Sequence, residues 1–298
     1  MTVGDILDGA FKLLKANART VFTIVAVFVV PLQLLAAFAQ RNVLGGAGLL
    51  DALNDPSVAE AGAEQPVTDQ LVSWAATLLN LLVLPFLAGA ISQVVGASYL
   101  GEELAPGPAL ARTARRAWAL FASWVVVHVL ELGTLVVVPV LGVVLAVLVD
   151  GPLRAVFVVV AVVAVLAGIP AALAMMALSV AVAPAVVVEE LGPIQGVRRS
   201  WSLLRRRFWP VLGIALLAGL ISNVLGQVLG VVPTFAGLIV GLEWGWLLVA
   251  LGAILTALVT TPIVAIVATL QYFDARIRFE GFDLQVIAAE LGPARARL

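Results

Sequence analysis

Long apolar runs separated by short charged segments dominate this chain. Positions 21–39, 71–100, 117–149, 156–188, 208–242 and 247–273 are almost free of charge. Apolar runs of roughly 18 or more residues are long enough to cross a bilayer as helices. The pattern therefore predicts an all-α integral membrane protein with six transmembrane helices.

The charged segments carry a second, shorter periodicity. Residues 197–209 read VRRSWSLLRRRFW, with five arginines around two tryptophans, directly before an uncharged stretch. Wound as a helix, Ile194, Val197, Trp201, Leu204 and Phe208 share one face, while Arg198, Arg199, Arg205, Arg206 and Arg207 spread over the rest. Near the N-terminus Val3, Ile6, Leu7, Ala10 and Leu14 face one way, and Asp5, Asp8, Lys12, Lys15 and Arg19 the other. Both read as amphipathic helices lying at a membrane surface, with cations available to anionic headgroups. Since the arginines sit where the chain enters the membrane, a nucleic-acid surface is not expected.

These segments point to an internal repeat. AFKLL at 10–14, AWALF at 117–121 and SWSLL at 200–204 each precede an apolar run. EELAPGP at 102–108, EELGP at 189–193 and AELGP at 289–293 recur as junctions. Pro85, Pro170 and Pro262 each precede an acidic residue by 17 to 19 positions: Glu102, Glu189 and Glu280. Landmarks in one fixed order argue for a duplicated unit. The expectation is a single membrane domain over 1–298, made of repeats near 4–104, 107–191 and 192–281. Each repeat would be a helical hairpin preceded by an interfacial helix, and 282–298 would form a cytoplasmic tail. Pro31, Pro85, Pro139, Pro170 and Pro262 are placed to kink the spans. LGVVPTFAGLIVGLEWGW at 229–246 reads as a short outer-leaflet or re-entrant segment.

Composition agrees, and charge adds orientation. The chain is 62% hydrophobic and 12% charged, about half the charge a soluble domain carries. With both termini on one side, that side holds Lys12, Lys15, Arg19, Arg112, Arg115, Arg116, Arg198, Arg199, Arg205, Arg206, Arg207, Arg276, Arg278, Arg295 and Arg297. The other side holds only Arg41 and Arg154. The positive-inside rule puts the termini in the cytoplasm, and the expected location is the bacterial cytoplasmic membrane. The acidic 41–69 segment falls outside. Asp5 and Asp8 make the N-terminus a poor cleavable signal.

Little in the chain resembles catalytic machinery. It has no cysteine and one histidine, so thiolate chemistry and histidine pairs are excluded, and no metal or cofactor is expected. An intramembrane enzyme is accordingly disfavoured. His128 and Glu131, in VVVHVLELG, lie three residues apart on one helix face. For a span starting near Ala122, helical rise puts Glu131 roughly 14 Å into the hydrocarbon. A carboxylate there needs a partner, water or a proton. Asn80, Asn223 and Gln227 are candidate partners, and the set reads either as an intramembrane polar site or as a clamp fixing helix register. Gln40, Gln93 and Gln271, eight or nine residues after a proline, form a second candidate layer.

Three stretches carry a family resemblance: VGDILDGAFKLLKANARTVFTIVAVFVVPLQLL, VVVEELGPIQGVRRSWSLLRRRFWPVLGI and LQYFDARIRFEGFDL. The chain resembles the glycerophosphoryl diester phosphodiesterase membrane-domain family, six-span proteins common in actinobacteria. Some members fuse this domain to a phosphodiesterase barrel of about 250 residues, which nothing here encodes. The resemblance implies a standalone membrane domain and transfers no catalytic residue. Two functions remain. One is a non-enzymatic accessory or scaffold component that uses Lys12, Lys15, Arg19, Arg115, Arg116, Arg198, Arg199, Arg205, Arg206, Arg207 and Trp201 to contact anionic lipid or a partner protein. The other is a transporter or channel for a small molecule or lipid, built around His128 and Glu131.

Overall fold

The computed structural model describes residues 3–41, 67–240, 244–282 and 284–285, all helical or in short connections. The helices are α1 Val3–Ala16, α2 Ala18–Ala39, α3 Val67–Tyr99, α4 Pro106–Ala114, α5 Ala117–Leu132, α6 Val138–Leu148 and α7 Pro152–Ser179. They continue as α8 Val182–Val188, α9 Pro193–Leu204, α10 Phe208–Val240 and α11 Gly245–Glu280. Six helical stretches are long and apolar enough to cross a membrane, the architecture of a multi-pass membrane protein. Most of the acidic segment expected outside, and the tail beyond 285, lie outside the described residues.

The chain divides into two compact units. One comprises residues 1–7, 115–216 and 267–298; the other comprises 8–114 and 217–266.

In the first unit α9 packs on α5, α7 and α8. Ala119, Leu120, Val127, Val182, Val186, Val187 and Val197 form the buried cluster at its centre. Two glycines set close approaches. A Cβ on Gly196 would stand 2.4 Å from Val186 Cγ2, and one on Gly142 would stand 2.9 Å from Ala161 Cβ. The α9 face differs by part of a turn from the one its apolar periodicity predicts. Val197 and Leu204 are buried as expected, but Ile194 is 57% exposed and Gly196, Ser200 and Leu203 take its place inside. The bare glycine lets α9 approach α8 on that side, which rotates Ile194 outward.

Between α5 and α6 the helix widens into a π-helical turn, Gly133–Val137. Pro139 explains the position. In regular α-helix its ring would strike the Leu135 carbonyl, and one wide turn relieves that conflict without ending the helix.

In the second unit α2 packs along α3, and α4 contacts both. The 217–240 part of α10 lies close against the 245–266 part of α11. Thr256 donates to the Gly226 carbonyl at 3.0 Å, and a Cβ on Gly237 would meet the Gly245 oxygen at 2.6 Å. The stretch read as re-entrant is instead the end of α10, which runs unbroken through Pro233 to Val240, followed by residues 241–243 outside the described set. A proline costs one intrahelical hydrogen bond, whereas an open loop in apolar surroundings costs one for every residue. The glycines at 226, 230 and 237 serve close packing instead of breaking the helix.

Among the described residues four connections hold a residue at positive φ, Gly151 at 79° being one of them. Gly101 has φ of 77°, Gly281 has φ of 61°, and Glu190 has φ of 54°. At Gly101, Glu102 N–H donates back to the Ala97 carbonyl at 2.9 Å; beside Glu190, Leu191 N–H donates to Val186 at 3.1 Å. Both are helix C-caps in which a left-handed residue lets the chain fold back on its last carbonyls.

Candidate functional site

Charge in the first unit gathers around Arg199. Its position on α9 is fixed by a firm helix start. Pro193 occupies the first turn, where its missing N–H costs nothing, and Gln195 Oε1 accepts the Gly192 N–H at 3.2 Å. Arg199 Nε donates to both carboxylate oxygens of Glu189 at 2.9 Å. Its terminal nitrogens donate to Glu280, Nη2 to Oε2 at 2.7 Å. The fully buried Tyr272 donates its hydroxyl to Glu189, and Arg276 Nε lies 3.3 Å from Glu280. The guanidinium of Arg276 also rests 4.1 Å from the Phe282 ring centre. Two cations thus meet two carboxylates, and the planar fork of Arg199 matches both at once.

A second ion set lies on the same stretch of α11. Arg207, in a short 3-10 turn after α9, donates to Asp274, which also accepts Arg278 Nε at 3.0 Å. Arg116 pairs with Glu190 at 2.7 Å.

The cationic residues singled out from sequence therefore separate into two kinds. Arg199, Arg207 and Arg116 are engaged by carboxylates within the fold. Arg115, Arg198, Arg205 and Arg206 are exposed, with Arg206 5.2 Å from the Phe279 ring centre. In the second unit Lys12, Lys15 and Arg19 are exposed as well. Asp8 pairs with Lys12 at 2.7 Å, and that hydrogen bond holds the ammonium above its ordinary range. Trp201 is half-buried against the central cluster of its unit, with its ring nitrogen unpartnered among the described residues. Trp118 and Trp209, by contrast, are 74% and 77% exposed, each within a turn of an exposed arginine.

The polar set placed inside the spans is divided between the two units. His128 and Glu131 belong to one unit, and Asn80, Asn223 and Gln227 to the other. His128 Nδ1 bonds the Trp124 carbonyl at 2.9 Å, and its ring lies 4.1 Å from the Trp124 ring. Glu131 is half-buried, one residue short of the π-helical turn. Asn80 accepts a 3.5 Å contact from Gln33 and donates to the Ala76 carbonyl at 2.9 Å, while Asn223 and Gln227 are exposed. Of the glutamines, Gln40 reaches Ser73 at 3.4 Å, and Gln271 is buried. Among the described residues no group of His, Asp and Glu is arranged to hold a metal ion.

Sequence reasoning found Arg199 and both of its carboxylates but missed that they meet. A signal existed: Glu189 and Glu280 each follow a proline by 18 or 19 positions, and an arginine lies ten residues after the first. Tyr272 and Asp274 gave no such signal.

No curated protein and no solved structure matches the chain. A family model described as a domain of unknown function, DUF7847, matches residues 1–280, and the chain belongs to that family.

Proposed function

We propose that this chain is a non-enzymatic, multi-pass component of a bacterial cytoplasmic membrane that binds anionic lipid through its arginine-bearing short helices, both termini being cytoplasmic. The observation that carries this reading is the sorting of the cations. Arg199 and Arg207 are consumed by carboxylates, whereas Arg198, Arg205 and Arg206 stay exposed, the last two within a turn of the exposed Trp209. Arg115 and Trp118 repeat the combination at the start of α5. An indole beside a solvated guanidinium suits the headgroup layer, where one end of the pair is apolar and the other wet.

The threefold repeat belongs to the same proposal. Arg116 and Arg199 hold the same place, one residue before AWALF and SWSLL, and each takes a carboxylate from the 189–190 pair. The left-handed residues Gly101, Glu190 and Gly281 close the proline-bearing half of each copy. The resemblance to phosphodiesterase membrane domains supports a standalone accessory role of this kind.

Quenching of tryptophan fluorescence by brominated lipids tests the lipid reading. Brominated phosphatidylglycerol should quench more than brominated phosphatidylcholine, and Arg198→Gln/Arg205→Gln/Arg206→Gln should remove the difference. Equal quenching in the unaltered protein contradicts the proposal. A co-purifying polypeptide lost in the same variant would move the surface to a protein partner.

A transporter is the second reading, favoured by the π-helical turn beside the half-buried Glu131. Such turns recur at functional sites because they free backbone groups and redirect side chains. Solute flux in proteoliposomes that Glu131→Gln abolishes would favour it.

A further inference from the structure

Gln271 is 3% exposed, and among the described residues neither its amide nitrogen nor its amide oxygen has a hydrogen-bond partner. Most buried polar side chains are satisfied, and an amide left bare on both atoms is strongly unfavourable. Its surroundings are not uniformly apolar. One turn along the same face of α11 lies Asp274, which accepts from Arg207 and Arg278. The Arg278 side chain is 42% exposed and that of Asp274 is 7% exposed, so an exposed cation, a buried carboxylate and Gln271 follow one another along this face of α11.

We propose that Gln271 is the binding group of an internal site for a hydroxyl ligand, filled by water or by a hydroxyl of a bound lipid. The chemistry of the amide selects the class. Its nitrogen only donates and its oxygen only accepts, so a full partner must do both, as a hydroxyl does. A simple anion would leave the oxygen bare and face the Asp274 carboxylate. A simple cation would leave the nitrogen bare. The site uses none of the exposed arginines and stands or falls without them.

Gln271→Leu, a nearly isosteric apolar replacement, tests the site by the sign of its effect. When a polar atom is truly unpartnered, its apolar isostere stabilises; when the atom holds a ligand, the isostere strands that ligand and destabilises. The expected result is an apparent melting temperature lowered by about 2–4 °C. An unchanged or raised value overturns the proposal. Gln271→Met, flexible and apolar, serves with the same expected sign if the leucine chain is not recovered. The loss persisting after delipidation assigns the ligand as water; its disappearance assigns a lipid hydroxyl.

Discussion

Arg199 and Glu280, separated by 81 positions, meet through two parallel hydrogen bonds, Nη2 to Oε2 at 2.7 Å. The same guanidinium takes Glu189 with its remaining Nε. This contact joins α9 to the end of α11 and to the connection after α8. It withdraws Arg199 from the cations that remain at the surface.

Arg199→Lys keeps the charge but not the fork, so it should lose one of the two carboxylates. The pair is about a quarter exposed. The cost should therefore fall between the small value of a surface pair and the several kcal/mol of a buried one, roughly 2 kcal/mol. Arg199→Gln should cost more, because Glu189 and Glu280 would face each other without a cation. Thermal unfolding in one detergent measures both; a variant as stable as the unaltered protein contradicts the structural role.

Glu190 holds a left-handed backbone at φ of 54°, a conformation that Gly101 and Gly281 take in two other connections. A glycine holds that conformation without the roughly 1–2 kcal/mol that a Cβ costs there. The Arg116 contact it forgoes is largely exposed and is worth at most about 1 kcal/mol. Glu190→Gly should therefore be neutral to stabilising. Glu190→Ala should destabilise, since it loses the contact and keeps the strain. The order of the two melting temperatures checks the prediction.

Gly196→Ala should cost roughly 1–3 kcal/mol, because its Cβ would collide with Val186, a fully buried side chain. Adding Val186→Ala should recover part of that loss. A double variant no more stable than Gly196→Ala alone would mean that the glycine is there for another reason. Gly237→Ala should be worse, since its Cβ would meet the Gly245 backbone oxygen, which no rotamer change can move.

The spans were legible because six uncharged stretches of sufficient length have few other folded solutions. The short helices before 18 and 208 were legible from a 3.6-residue period that holds even beside a bilayer. Three features lay beyond the pattern. Pro233 and its glycines looked like a loop, because the same residues break helices in water and pack them closely in apolar surroundings. Ile194 was placed inside because periodicity gives a face only to within part of a turn, and Gly196 settled the rest. Arg199 was read as a lipid contact because periodicity marks it as polar without naming its partner, and Glu280 lies 81 positions away. For the site, sequence supplied the residue types, and only the tertiary pairing sorted engaged arginines from free ones.

The lipid account is tested most directly by native mass spectrometry of the protein released from nanodiscs of equal phosphatidylglycerol and phosphatidylcholine. The unaltered chain should retain phosphatidylglycerol in preference, and Arg198→Gln/Arg205→Gln/Arg206→Gln should lose that preference while Arg199 and Arg207 keep the fold intact. Equal retention of the two lipids by the unaltered chain, or an undiminished preference in the variant, would contradict it.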